Sequence, residues 1–182
     1  MTASLVNAWT AVNALSVAVL ALVSVERLAE LALARRNTQR LLSQGGVEVG
    51  RGHYPAMVLL HAAWLLGLWI AAPARVASLP LLAAFALLQA GRAWVLVTLR
   101  ERWTTRIIVL PGAPLVRTGP YRFVRHPNYL IVAGEIFVLP LAFGLVTFAL
   151  IFTAFNAIIL TVRIREEEAA LRRSSARERV PQ

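Results

Sequence analysis

The chain of 182 residues has no cysteine, no lysine and no aspartate, and charged residues make up only 15% of it. Without cysteine, a disulfide framework, a thiolate metal site and a cysteine nucleophile are all excluded. Three widely separated histidines are present, so we expect no metal site. The scarcity of charge also argues against a soluble domain, which needs more polar surface at this length.

Apolar residues are in excess, at 58% of the chain with a mean hydropathy of +0.65. They fall into five segments that approach the length of bilayer-spanning helices, at about 5–25, 56–72, 77–99, 129–143 and 145–162. Pro140 and Gly144 mark a bend between the last two segments, which predicts a C-terminal helical hairpin. We therefore predict one all-α integral-membrane domain over 1–182 with about five transmembrane helices.

Arginine supplies all of the basic charge, with 19 arginines against nine glutamates and a formal net charge of +10. The predicted loop 34–54 has four arginines, 100–127 has six and the tail from 163 has six, whereas the turn 72–78 has one. Positive charge between apolar segments fixes their orientation in the bilayer. The pattern predicts an outside N-terminus, places the three arginine-rich segments on the cytoplasmic face, and argues against a nucleic-acid partner.

Two charged segments on that face are candidates for chemistry. The first, GPYRFVRHPNYL, leads into the fourth apolar segment, and the second, RIREEEAAL, follows the fifth. Pro127 suits the first position of a helix and disfavours helical geometry at His126, so we expect His126 at the mouth of the fourth helix. A helix N-terminus favours a carboxylate. The two segments could therefore enclose a polar ligand.

Other polar positions lie within or beside the apolar segments, where they need partners. They are Glu26, Arg27, Glu30, Gln89, Arg92 and Glu135. For Arg92, the sequence allows a pair with Glu135 or with a cofactor carboxylate. Between Trp103 and Tyr121, the pattern IIVL, PGAP and LV predicts a short hairpin or an extended lid.

Two motifs joined by a hydrophobic hairpin resemble the isoprenylcysteine carboxyl methyltransferase family of integral-membrane enzymes. They are GPYRFVRHPNYL and RIREEEAAL. The resemblance covers roughly 119–171, and ERLAEL, EVGRGHYPAMVLLH and WTTRIIVLPGAPLV are similar to its small bacterial branch. It implies S-adenosylmethionine as cofactor, bound by a region of about 103–171. With the arginine counts, we expect this region to face the cytoplasm from a bacterial inner membrane. The acceptor would be lipophilic and would enter from the bilayer, such as an isoprenylcysteine carboxylate or an alkylpyrone or alkylresorcinol hydroxyl.

The resemblance also implies roles for individual residues. The implied cofactor-binding residues are Tyr121, Arg125, His126, Pro127, Tyr129, Glu167 and Glu168. The catalytic candidates are Arg125, Glu135, Arg163 and Glu167. A carboxylate acceptor needs only an arginine to position it, whereas a hydroxyl needs a base, for which Glu135, Glu167 or His126 are candidates.

Simpler explanations and other functions stay open. His126 could cap its helix, Arg122 could be a charge anchor, and Glu168 could pair with Arg172 on a solvated helix face. The protein could instead be an NADPH-dependent membrane reductase of sterol-reductase-like architecture, or a noncatalytic lipid-binding membrane protein. The chain also departs from the family at its tail, RRSSARERVPQ, which lacks the aromatic residues that usually supply one wall of the cofactor pocket. The 37–54 loop could replace that wall.

Overall fold

The computed structural model describes the backbone of residues 3–177 and the side chains of residues 14–173. Five helices account for most of this part of the chain: α1 (Ala3–Ser43), α2 (Tyr54–Ala71), α3 (Leu79–Leu99), α4 (Pro127–Ala142) and α5 (Val146–Arg177). The connections between the helices contain two short strands, β1 (Val47–Val49) and β2 (Ile107–Val109). They also contain 3₁₀ turns at Arg51–His53, Arg100–Arg102 and Gly119–Arg122.

The protein is an all-α membrane protein, as predicted. By length and composition, three helical stretches of the described residues are long and apolar enough to cross a membrane: Arg51–Ala71, Leu79–Arg102 and Val146–Arg173. α4 is a shorter apolar helix. Each of the five predicted apolar segments lies largely within one of the five helices.

α1 and α5 extend beyond their apolar segments. The prediction of a loop over 34–54 is wrong for its first part, because α1 continues to Ser43. No proline or glycine interrupts the chain there before Gly45, which has a φ of +87°. The Gly46 N–H donates to the Leu41 carbonyl and the Gly45 N–H to the Leu42 carbonyl, which forms a Schellman cap.

The α4–α5 hairpin is confirmed at the predicted bend. Gly144 has a φ of +68°, and its N–H donates to the Leu141 carbonyl at 2.9 Å. The Leu145 N–H donates to the Pro140 carbonyl at 2.9 Å, which completes a second Schellman cap. The cap reverses the chain within a few residues, so α5 runs back towards the end of the bundle where α4 begins.

Of the two alternatives predicted for 103–121, the hairpin is wrong and the extended lid stays a prediction. β2 instead pairs with β1 from the preceding long connection, in an antiparallel register with Val47 opposite Val109. Pro111 and Pro114 cannot donate to a ladder after the turn, and Arg102 Nη1 donates to the Pro114 carbonyl at 2.6 Å. The PGAP turn is therefore held by a side-chain contact, and β2 takes its partner from elsewhere in the chain.

Side chains fasten this two-stranded sheet to α2. Arg106 on the β2 side donates to Glu48 of β1 at 2.7 Å, and its guanidinium lies 4.5 Å from the centroid of the Tyr54 ring. The Tyr54 hydroxyl is 3.2 Å from the Thr105 hydroxyl. The sheet is thereby fixed at the end of the bundle where α2 and α4 begin.

The core lies between the helices rather than under the sheet. Its main cluster contains Leu20, Val23, Trp64, Leu68, Ala72, Phe85, Ile136, Leu139 and Phe143. A smaller cluster of Ala34, Val95 and Trp103 lies nearer the sheet. Asn37 joins α1 to this end by donating to the carbonyls of Arg100 at 3.0 Å and Trp103 at 2.8 Å. Large apolar side chains such as Leu59 and Leu87 face outward, as a bilayer-facing surface requires.

Candidate active site

His126 lies immediately before the first residue of α4, as predicted. Its backbone has φ −128° and ψ 63°, and Pro127 occupies the first helical turn. The His126 side chain makes no capping hydrogen bond, so the structure does not support the simpler explanation that this side chain caps its helix. The imidazole is therefore available to contacts from outside α4.

The two charged segments meet at this point. His126 Nδ1 is 3.8 Å from Glu167 Oε2, and His126 Nε2 is 3.6 Å from Glu168 Oε1. Because α5 continues as one helix through the glutamates, it carries both carboxylates to the mouth of α4. Glu168 also lies 3.7 Å from Arg172, the pair expected on a solvated face. Glu168 is thus shared between the cluster and its own helix.

Tyr129 connects the histidine to a buried arginine. Its ring stacks on that of His126, with centroids 5.3 Å apart and planes inclined by 13°. The Tyr129 hydroxyl donates to Glu167 and accepts from Arg163 Nε at 2.9 Å. Arg163 is buried, and its Nη1 contacts the sulfur of Met57 at 3.4 Å. We call the set His126, Tyr129, Arg163, Glu167 and Glu168 the polar cluster.

Tyr121 lies beside the polar cluster. Burial, together with the negative charge of Glu167, raises the pKa of Tyr121 to about 12. The Tyr121 side chain packs against the small hydrophobic cluster that contains Trp103 and Val95. Its phenol is therefore neutral near pH 7 and can donate a hydrogen bond.

The arginines of the first motif lie differently from Arg163. Arg125 is exposed, and among the described residues it forms no hydrogen bond or ion pair with the polar cluster. Arg122 is also exposed and lies over the ring of its neighbour Phe123 at 5.9 Å. Pro127 is buried and starts the helix rather than offering a polar contact. A cofactor contact by Arg125 or Pro127 stays a prediction.

Glu135 belongs to a second group of charges, deeper in the bundle. Arg92 of α3 donates to both of its carboxylate oxygens, with Nε to Oε1 at 2.8 Å. Arg27 and Glu30 of α1 complete the group, because Arg27 lies 2.9 Å from Glu30 and 3.5 Å from Glu135, and Arg92 lies 3.2 Å from Glu30. The structure pairs Arg92 with Glu135, which is one of the two partners that the sequence allowed. The catalytic role of Glu135 stays a prediction, because the structure does not bring it into the polar cluster.

Sequence reasoning missed two features next to the cluster. The side-chain oxygen of Asn128 is buried without a hydrogen-bond partner among the described residues, although it lies between His126 and Tyr129 in the motif. The loop after β1 also packs on α5, because a Cβ on Gly50 would lie 3.2 Å from Glu166 Cβ. Only the position of Asn128 inside the motif could have indicated the first. For the second, the sequence indicated only that the 37–54 loop could replace a wall of the pocket, and not that it contacts α5.

The fold and this cluster define an all-α membrane protein with a concentration of charged and aromatic side chains at one end of its bundle. The chain belongs to the isoprenylcysteine carboxyl methyltransferase (ICMT) family, whose sequence model matches residues 81–173.

Two bacterial proteins are similar over most of their length. The Bacillus subtilis protein named Uncharacterized protein YpbQ is 38% identical over 172 residues, which cover 87% of this chain and 97% of the relative. A Haemophilus influenzae protein, also named as uncharacterized, is 27% identical over 155 residues, covering 80% of this chain and 88% of the relative. No solved structure gives a significant match.

Proposed function

We propose that this protein is an integral-membrane, S-adenosylmethionine-dependent O-methyltransferase that acts on a lipophilic acceptor. The observation that carries the proposal is the meeting of His126 with Glu167 and Glu168, which joins the two charged motifs of a chain in this family. The acceptor would be an isoprenylcysteine carboxylate or a ring hydroxyl of an alkylpyrone or alkylresorcinol type.

The side chains of the cluster suit the proposed cofactor. S-adenosylmethionine supplies, when bound, a sulfonium methyl group for transfer to a nucleophilic oxygen. Its amino acid and nucleoside parts call for cations, carboxylates and flat apolar surfaces together. The described residues offer all three, and the unpartnered buried oxygen of Asn128 adds an acceptor for an N–H or amine group. The residues therefore fit the group.

The roles follow from the chemistry of each side chain. Arg125 or His126 would hold the cofactor carboxylate, because a cation forms charge-assisted hydrogen bonds with it. Glu167 and Glu168 accept from the ammonium or from ribose hydroxyls. Tyr121 and the stacked ring of Tyr129 offer surface for adenine.

Arg163 serves the acceptor side of the reaction. It is a buried cation that Tyr129 holds through the 2.9 Å hydrogen bond, so it can fix an acceptor carboxylate or hydroxyl beside the cofactor. A carboxylate needs no more than this, whereas a hydroxyl would lose its proton to Glu167, or to a neutral His126 where Arg125 holds the cofactor carboxylate. Most of the rate enhancement comes from alignment and from exclusion of water.

The positive-inside tendency supports an orientation in the bacterial inner membrane. The polar cluster lies at the end of the bundle where α4 begins and α5 carries its glutamates, which is also the end of the arginine-rich connections. Arginine-rich connections face the cytoplasm. We therefore propose that the active site opens to the cytoplasm, where S-adenosylmethionine is available.

Calorimetry of the purified protein in detergent tests the class of function. Titration with S-adenosylmethionine, S-adenosylhomocysteine and NADPH separates a methyltransferase from a reductase and from a noncatalytic lipid-binding protein. The proposal predicts heat with the first two ligands and none with NADPH. Heat with NADPH alone supports the reductase, and no heat with any of the three supports the lipid-binding protein.

The acceptor can be identified directly. Membrane lipid extracts are incubated with the protein and with S-adenosylmethionine that carries an isotopically labelled methyl group, and the products are separated by mass spectrometry. We expect label in an amphiphilic product, lost on substitution of His126 by alanine. Equal labelling of lipids in the absence of the protein would contradict methyl transfer by this protein.

A further inference from the structure

Asn156 is a buried amide. It lies within the apolar part of α5, and the residue is 1% exposed. Neither its Nδ2 nor its Oδ1 has a hydrogen-bond partner among the described residues, and the hydroxyl of Thr153, one turn away on α5, is also buried without one. Buried polar groups in an apolar medium cost free energy unless they are paired.

The surroundings of Asn156 can be located from contacts on either side of it along α5. Towards the hairpin, a Cβ on Gly67 of α2 would touch the ring of Phe148, and towards the glutamates Met57 of α2 contacts Arg163. Asn156 therefore lies at the level of the middle of α2. Trp64, in that part of α2, already donates its indole N–H to the Ile136 carbonyl at 3.2 Å.

Asn156 is also aligned with the polar cluster. Seven residues, close to two helical turns, separate it from Arg163, and two turns of α-helix correspond to about 10 Å. Residues with this spacing lie on one face of a helix. The face that carries Arg163 and Glu167 thus continues towards the membrane interior as an amide and then a hydroxyl.

We propose that Asn156 and Thr153 form a subsite for a second polar group of the methyl acceptor, on the side of its hydrocarbon chain. The inference rests on the proposed function. An amide offers a donor and an acceptor at once, so it suits a hydroxyl or a paired hydroxyl and carbonyl. An acceptor with only hydrocarbon beyond its methylated group would leave both amide atoms unpaired, and the site disfavours it.

A matched pair of acceptors tests this subsite. We measure methyl transfer to two alkylphenols of equal chain length, only one of which carries a hydroxyl on its alkyl chain, using wild-type protein and Asn156→Leu. The wild type is expected to prefer the chain-hydroxylated acceptor by about tenfold in kcat/KM, the effect of one buried hydrogen bond. In Asn156→Leu the preference falls to within about twofold.

Two further measurements separate this role from a structural one. Asn156→Leu should bind S-adenosylhomocysteine as the wild type does, and it should unfold at an equal or higher temperature, because leucine removes an unpaired amide from an apolar environment. Asn156→Ser, which retains a hydroxyl in a smaller side chain, should keep part of the preference.

Each outcome has a defined meaning. A wild type that binds S-adenosylhomocysteine but shows no preference between the two probes, or does not methylate either, contradicts the subsite and leaves the cofactor assignment intact. Retention of the preference in Asn156→Leu also contradicts it, as does a loss of thermal stability in that variant. Failure of the wild type to bind S-adenosylhomocysteine contradicts the proposed function, on which the subsite depends.

Discussion

Replacement of Arg92 by leucine should destabilise the protein strongly. The side chains of Arg92 and Glu135 are only 7% and 5% exposed, and Arg92 donates to both carboxylate oxygens. Without Arg92, Glu135 and Glu30 would share Arg27 alone, which leaves one buried carboxylate uncompensated. Breaking a buried ion pair costs about 3–5 kcal/mol. For a chain of this size, a loss of about 3 kcal/mol lowers the unfolding temperature by roughly 6–12 °C.

The double variant Arg92→Leu/Glu135→Leu provides the decisive comparison. It leaves Arg27 paired with Glu30 at 2.9 Å, so the remaining charges balance. Replacement of a whole buried pair by apolar side chains is often neutral, and we expect the double variant to recover at least half of the stability lost in Arg92→Leu. Thermal unfolding in detergent micelles measures both.

The exposed pair of Arg40 and Glu101 gives a matched control. Their side chains are 47% and 60% exposed, so Arg40→Leu should cost less than about 1 kcal/mol. The reasoning fails if Arg92→Leu lowers the unfolding temperature no more than Arg40→Leu does, or if the double variant is no more stable than Arg92→Leu.

Three further predictions concern the end of the bundle that carries the polar cluster. Gly50 has a φ of +64°, and a Cβ there would lie 3.2 Å from Glu166 Cβ, so Gly50→Ala should cost about 1–2 kcal/mol and weaken S-adenosylhomocysteine binding in calorimetry. Gly52→Ala, with nothing within 4 Å, should change neither. Asn37→Asp replaces two donors with a carboxylate against two carbonyls, and thermal unfolding should show a loss of about 2 kcal/mol or more. Tyr121 should titrate near its raised pKa of about 12 in the difference absorbance spectrum between wild type and Tyr121→Phe. Because the folded state keeps this phenol protonated to higher pH than the unfolded chain, its contribution to stability is complete below about pH 10 and is lost as the pH rises towards 12.

Local patterns predicted much of the fold and the meeting of the two motifs. Window hydropathy identified the five helices, and Pro140 with Gly144 indicated the bend that the structure has. Arginine counts placed the two motifs on one face of the bilayer, where they could meet, and the structure brings His126 within 3.8 Å of Glu167. These inferences need only short stretches of sequence and the geometry of the bilayer.

The features that escaped prediction depend on partners far apart in the chain. Val47 pairs with Val109 because the ends of α1 and α3 lie together, and nothing in either strand alone specifies the other. The sequence marked Arg92 and Glu135 as needing partners but left a choice, which tertiary packing decided. The sequence gives no indication of a role for Asn156 within its apolar segment. Only its burial without a partner among the described residues distinguishes it.

The most direct test of the central claim is the dissociation constant for S-adenosylhomocysteine, measured by calorimetry on folded wild-type protein and three variants. If His126 and Glu167 hold one cofactor between them, His126→Ala and Glu167→Gln should each weaken binding by about tenfold to hundredfold, the effect of a charge-assisted hydrogen bond. Arg122→Ala, which alters an exposed arginine outside the cluster, should stay within about twofold of the wild type. Wild-type affinity in both His126→Ala and Glu167→Gln would contradict the account.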